Sequence, residues 1–462
     1  MSGIDSCPAE VLHLVFNLLS PTELYTLCLV NRPFRTSAEP LLYSKIRWRW
    51  EDPKDLPPII PLLRSFIYRP ELATYVRSLK LEGECLSNSG FRRPTPLITV
   101  SNAELDSLIV FVQGLGVPYG DLWTQMLRKG VLDAFIALLL VQPLNLRVLE
   151  IGPVFLQRST LIGMVLDSVI RETGKDGLPD FTHLTDVSVL SGVGWDRERE
   201  AGVQKTPDFF PLFYLPNIER MAVSIWSSSA FKWPTADLPD LSRLKSLDLR
   251  CIREAHLADI LSLTKNLEKL TWEWYYDFGL DDEFNKPIVD LDQIASALAC
   301  TPSSLTEIKI LAGVGLGGGD ISEPGIRIKG SLNTMADLRH VKKLKIPLAF
   351  LVGFAQDTMK RLQDVMPPNI ESLTLTYDLS LQEDLHESPD IPEWMWEASD
   401  IFELLQYWLG VWKSCTPCLR EVLVIGKSPS VYLGDWDLSL MNQLNDLSIQ
   451  TGIHLDVAKR EV

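Results

Sequence analysis

One short arrangement of apolar and polar positions recurs along the chain: an aliphatic residue, two polar ones, then aliphatic, any residue, aliphatic. It stands at 76–81 (Val76-Arg77-Ser78-Leu79-Lys80-Leu81), 146–151, 184–189, 218–223, 244–249, 267–272, 305–310, 341–346, 370–375, 419–424 and 444–449, eleven times in all. The aliphatic-x-aliphatic ending has the period of a strand with one buried face. Between these phrases the period changes to that of a helix. Ile162, Val165, Leu166 and Val169 form one stripe, Leu257, Ile260 and Leu261 a second, and Leu291, Ile294 and Leu298 a third. Leu362, Val365 and Met366 follow, then Ile401, Leu404, Leu405, Trp408, Leu409 and Trp412. Strand then helix, many times over, predicts an α/β protein with a parallel sheet on one side and helices on the other.

Repetition on this scale outranks local signals in deciding a fold, and the phrase reads as the strand segment of a leucine-rich repeat. The expected architecture is a solenoid over residues 75–462 with its parallel strands on the concave face. Spacing is uneven. Leu247 to Leu270 is a regular repeat, but Leu79 to Leu149 and Leu373 to Val422 are much longer, so insertions are expected near 84–143 and 378–416. The first should hold helices near Leu105–Val112 and Leu132–Val141; the second contains the acidic run Glu383-Asp384-Leu385-His386-Glu387. Residues 46–74 read as a linker. Across its start, at Ser44–Trp50, basic and apolar residues alternate as in a strand, and Pro53, Pro57, Pro58 and Pro61 follow.

The first 45 residues differ from the rest. Leu12, Val15, Phe16 and Leu19 recur at i, i+3, i+4, i+7 behind Pro8, which suits a first helical position. Val11, Leu14 and Leu18 make a second face apolar. Ser20-Pro21-Thr22-Glu23 is a capping box that stops one helix and starts another, on which Leu24, Leu27 and Cys28 share a face. Asn31 or Arg32 before Pro33 caps a third, carrying Phe34, Ala38, Leu41 and Leu42. Three helices this short bury too little apolar area to stand alone and need a partner.

This stretch resembles the F-box. A proline and a glutamate open an apolar helix (Pro8, Glu10, Val11, Leu12), Pro21-x-x-Leu24 opens the second, and Leu29-Val30-x-Arg32-x-Phe34-Arg35 and Pro40-Leu41-Leu42-Tyr43 follow. Cys7 replaces a usual leucine, and Pro33-Phe34 a common polar residue and Trp. The resemblance implies that residues 1–45 dock on the small adaptor subunit of a cullin-RING ubiquitin ligase, through Pro8, Val11, Leu12, Val15, Phe16, Leu19, Pro21, Leu24, Leu27, Val30 and Phe34. The whole chain is similar to fungal F-box proteins with irregular leucine-rich repeats, which implies a substrate-recognition subunit whose repeats choose a protein substrate. The alternative is a non-catalytic leucine-rich-repeat scaffold whose N-terminal helices only cap the solenoid.

Composition narrows the functional classes. With 44 basic against 60 acidic residues the net charge is −16, which disfavours nucleic acid, because affinity there comes from neutralising phosphates. The longest apolar run, Val131–Val141, is too short to span a bilayer and is broken by Asp133. Seven cysteines, an odd number scattered through apolar segments, read as reduced residues of an intracellular protein. With no basic and apolar leader at Met1–Ser6, a cytoplasmic or nuclear protein is expected.

No constellation predicts catalysis. Gly313–Gly319 satisfies Gly-x-Gly-x-x-Gly, but Pro324 and Gly325 follow where a nucleotide-binding helix should start, so a surface loop is expected. Cys415-x-x-Cys418 lacks a second pair and precedes a strand phrase, so it reads as a turn. The six histidines are dispersed. Neither an enzyme nor a cofactor or metal site is expected. What remains is the outward position of each strand, since side chains alternate. Trp226, Asp248, Arg250, Thr271, Glu273, Lys309 and Lys345, in the middle of the array, are the candidate substrate-binding residues, Trp and Arg being common interface anchors.

Overall fold

The computed structural model describes residues 8–52, 56–83, 97–156, 159–171, 178–190, 209–225, 233, 235–277, 285–315, 326–353, 360–379, 381–382, 394–426 and 436–459. The chain divides into two compact units, Met1–Gly192 with Lys205–Ile218, and Val193–Gln204 with Glu219–Val462.

The first unit runs α1 (Ala9–Phe16), α2 (Pro21–Val30), α3 (Arg32–Ser44), β1 (Lys45–Arg49), α4 (Ile59–Tyr68), β2 (Ser78–Glu82), α5 (Asn102–Gly114), α6 (Gly120–Arg128), α7 (Leu132–Leu140), β3 (Val148–Ile151), α8 (Leu161–Arg171) and β4 (Asp186–Val189). Strands β1 to β4 pair in chain order, all parallel. The linker region thus contributes both a strand and a helix. Helix α7 is buried along its whole length, as an apolar run with no polar face requires. Its one charged residue, Asp133, is 1% exposed. The carboxylate accepts the backbone N–H groups of Thr160 (2.8 Å), Leu161 (2.7 Å) and Ile162 (3.3 Å), closing the N-terminus of α8. Burial pushes its pKa up and these three donors pull it back down.

The second unit runs β5 (Arg220–Ser224), β6 (Ser246–Arg250), α9 (Glu254–Leu261), β7 (Lys269–Asp277), β8 (Ile288–Asp290), α10 (Leu291–Ala299), β9 (Glu307–Gly315), β10 (Arg327–Lys329), β11 (Lys343–Pro347), α11 (Leu348–Val352), α12 (Leu362–Val365), β12 (Ser372–Thr376), β13 (Leu381–Gln382), β14 (Trp394–Met395), α13 (Ala398–Cys415), β15 (Glu421–Gly426), α14 (Leu438–Thr451) and β16 (His454–Lys459). Its main sheet has the order β5-β6-β7-β9-β11-β12-β15-β16, every pair parallel. Helix α9 packs on α10, α12 on α13 and α13 on α14, so the helices follow one another as the strands do. The expected α/β architecture with parallel strands is present, and its order is repeat-like. Two short pairs, β8 with β10 and β13 with β14, stand apart from the main sheet.

Ten of the eleven phrases are strands. The eleventh, 444–449, lies inside α14, and this corrects the sequence reading. Leu444 and Leu447 are buried at a spacing of three, which suits a helix as well as the phrase, while Ile449 is 73% exposed. Asp437 caps the helix by accepting Leu440 N–H at 2.7 Å. Gly452, at φ +74°, ends it in the left-handed conformation that glycine adopts without strain. The strand that follows is β16, where Ile453 and Leu455 are buried. Strand β9 also runs past its phrase to Gly315, so Gly313 and Gly315 are sheet residues and not loop; Leu316–Gly319 lie outside the described residues.

Candidate functional site

The N-terminal helices form a small closed core with an apolar outside. Leu12 and Phe16 of α1, Leu24 of α2, and Phe34 and Ala38 of α3 are buried together, with Leu19, Leu27, Cys28, Leu41 and Leu42 packed against them. Phe16 and Phe34 meet edge to face, ring centroids 5.7 Å apart, an arrangement that aromatic quadrupoles favour. The caps are those expected from the residues. Ser20 Oγ accepts Glu23 N–H, the Glu23 carboxylate accepts Ser20 N–H at 2.7 Å, and Asn31 Oδ1 accepts Phe34 N–H at 2.8 Å.

Around this core Val11, Leu14, Val15, Leu18, Tyr25, Leu29 and Val30 are exposed, Leu14, Leu18 and Leu29 by 68%, 87% and 69%. They are seven of the eighteen exposed large apolar side chains among the described residues, concentrated on α1, the turn after it and α2. Scattered exposed apolar residues are ordinary; a concentration of them marks an interaction surface.

The sequence-derived docking residues therefore fall into two groups. Pro8, Val11, Val15, Pro21 and Val30 are exposed, and Leu19 and Leu27 are partly so. Leu12, Phe16, Leu24 and Phe34 lie in the core, where they hold the surface up and cannot themselves touch a partner. Leu14, Leu18, Tyr25 and Leu29 were not singled out for docking. Their signal was the second apolar face of α1 and the i, i+4 pair Tyr25 and Leu29 on α2.

Behind this surface the module is fastened to its own unit. Arg69 grips Glu39 with two 2.7 Å hydrogen bonds and also donates to Glu71 at 2.8 Å. The Arg69 hydrogen bonds hold the Glu39 carboxyl below its ordinary pKa, against the upward push of burial. Tyr43 packs on Phe66 of α4 at 6.2 Å. A groove of about 370 Å³ opens alongside, walled by Tyr25, Leu29, Leu42 and Tyr43 on one side and Arg64, Tyr68 and Leu72 on the other.

The second candidate set lies on the sheet of the second unit. Trp226 is outside the described residues. Asp248, Arg250 and Glu273 come together, with Arg250 Nε 3.4 Å from Asp248 and 3.8 Å from Glu273. Burial works against the charged form of Arg250, but the two carboxylates outweigh it and its pKa is raised. Thr271, Lys309 and Lys345 are half-buried and stand side by side in register across β7, β9 and β11. Cys415 ends α13 and Cys418 lies in the turn before β15, both as free thiols. Among the described residues no three His, Cys, Asp or Glu side chains are grouped to hold a metal ion, and no helix is long and apolar enough to cross a membrane.

Neither the protein-family models nor the curated proteins searched contain a match to this chain.

Proposed function

We propose that this chain is the substrate-recognition subunit of a cullin-RING ubiquitin ligase. The N-terminal helices take the adaptor subunit, and the parallel sheet takes a protein substrate. The observation that carries the reading is the exposed apolar surface of Leu14, Leu18 and Leu29 over an already closed core. Burying a leucine or valine stabilises by about 1.5–3 kcal/mol, so the six such side chains, with Tyr25 beside them, suffice for a firm heterodimer even after the cost of association. In this role the chain does no chemistry of its own and works in the cytoplasm or nucleus.

One observation speaks for the alternative of a simple cap. Helix α3 runs straight into β1 and packs on it, as the cover of a first repeat would. A cap, however, needs a polar outer face to stay in solution. Here Leu41 and Leu42 turn into the module's own core and Tyr43 packs on α4, while the exposed apolar side chains gather on α1, the turn after it and α2. That favours docking.

The test is co-purification of the full chain with the adaptor subunit, for the wild type and for Leu29→Glu. Retention by the wild type and loss in the variant, both folded by circular dichroism, is expected. Equal retention of the two would remove the N-terminal surface from the reading.

A further inference from the structure

Strand β1 is an open edge: among the described residues its one strand partner is β2. The Ser44 carbonyl accepts Arg77 N–H at 2.9 Å and Trp50 N–H donates to the Glu82 carbonyl at 2.8 Å, so the even-numbered residues turn their backbone groups to β2. Lys45, Arg47 and Arg49 turn theirs the other way, since these directions alternate along a strand. No hydrogen bond among the described residues takes those groups. The edge strand β16 is finished differently. There His454 N–H donates to the Arg420 carbonyl of the neighbouring chain segment, and on the open side Val457 N–H is taken by the Asp456 carboxylate at 2.8 Å. The side chains of Lys45, Arg47 and Arg49 share the exposed face of β1, alternating with buried Ile46 and half-buried Trp48. All three are cations. Arg47 and Arg49 share the one Glu82 carboxylate, at 2.7 and 3.5 Å, and Arg49 also reaches Glu51 at 3.7 Å, just past the strand. Lys45 stands opposite Ser78, and among the described residues it has no carboxylate within ion-pair distance. On β2 the next cation, Lys80, is matched by Glu150. In a chain of net charge −16, this margin carries more cations than carboxylates.

We infer that β1 receives an extended segment of a protein partner as an additional strand, with Asp or Glu at alternate positions opposite Lys45, Arg47 and Arg49 and apolar residues between them. The unpaired backbone row carries the inference, and charge complementarity chooses the occupant. Residues opposite one another on neighbouring strands put their side chains on the same face, so acids at every second position meet all three cations. The residues between them then fall on the side of Ile46 and Trp48. A second copy of β1 does not fit, because it sets cation against cation in either direction. A nucleic acid answers the cations but leaves the N–H and C=O row unpaired, whereas a polypeptide strand satisfies both. The inference rests on the reading that a protein docks on the sheet and deepens it, naming the edge and the chemistry of the segment.

The experiment uses the full chain and a short fluorescein-labelled peptide alternating Glu and Val, followed by fluorescence anisotropy at low and high salt. Its Gln/Val counterpart, the Glu/Val peptide N-methylated along its backbone and an oligothymidylate are the comparison probes. The Glu/Val peptide is expected to bind in preference to all three, and to release as salt rises. Lys45→Glu should weaken it at least about tenfold, while Lys245→Glu, which makes the same change of net charge elsewhere, should leave it unaltered. Arg47→Ala removes a charge; Arg47→Pro removes that charge and also an N–H that β2 does not use, and should bind more weakly than Arg47→Ala. Circular dichroism checks the fold of each variant, and Lys45→Glu, at an exposed position, decides the matter if the proline disturbs β1. No binding of the Glu/Val peptide, equal binding of any comparison probe, or binding untouched by Lys45→Glu would overturn the inference, as would a folded Arg47→Pro that binds like Arg47→Ala. Binding that survives these changes places the peptide away from the β1 edge, which removes this inference and leaves the reading of the sheet standing. Because the adaptor takes no part, these outcomes are also separate from the fate of the docking surface.

Discussion

Asp133 closes the N-terminus of α8 from inside the core of the first unit, and its removal has a calculable effect. In Asp133→Ala the N–H groups of Thr160, Leu161 and Ile162 lose their acceptor. Leu161 and Ile162 are fully buried, so water cannot replace the carboxylate there, whereas the half-buried Thr160 can turn to solvent. A buried donor left unsatisfied costs about 1–3 kcal/mol, giving about 2–6 kcal/mol for two. Relief of the buried carboxylate's desolvation brings the net to about 2–4 kcal/mol. Asp133→Asn keeps one acceptor oxygen and should cost roughly half as much. Urea unfolding, with a check that the slope is unchanged, gives the global value. Hydrogen exchange at the α8 amides gives the local one, expected to quicken roughly thirty-fold to several-hundred-fold. A loss below about 0.5 kcal/mol for the alanine variant, the range of a plain surface change, would refute the capping role.

Two further outcomes follow from the N-terminal helices. Phe16→Ala empties the centre of their small core and should cost about 3–5 kcal/mol, seen as early melting of α1–α3 by hydrogen exchange. Leu18→Glu, at a position 87% exposed, should shift stability by less than about 0.5 kcal/mol; the reverse ranking would mean that core and surface have been exchanged. The Arg69 hydrogen bonds lower the Glu39 pKa, so their stabilisation is fully present above the ordinary glutamate range, about 4.3, and is lost as pH falls through the lowered value. Glu39→Gln should flatten that acid limb of the stability curve, and an unchanged limb would remove Glu39 as its source.

How far the chain could be read before folding depended on which physical rule each residue obeys. Strand phrases such as Leu247-x-Leu249 were legible because alternation is a local property, and Asn31 and Ser20 were legible as caps for the same reason. The phrase at 444–449 misled because Leu444 and Leu447 satisfy both periods; the deciding residues, Asp437 and Gly452, lie outside it. On α1 two apolar stripes were visible, but only the packing of α3 shows that Leu12 and Phe16 face inward while Leu14 and Leu18 do not. Pairs such as Lys80 with Glu150, or Lys309 beside Lys345, depend on strand register, which a single sequence does not reveal.

The central proposal is most directly tested by titrating the purified full chain with the purified adaptor subunit in a calorimeter. One-to-one binding is expected for the wild type. It should weaken beyond detection in the double variant Leu14→Glu with Leu18→Glu, whose circular dichroism stays that of the wild type. No heat of binding from the wild type, or undiminished affinity in the variant, would contradict it.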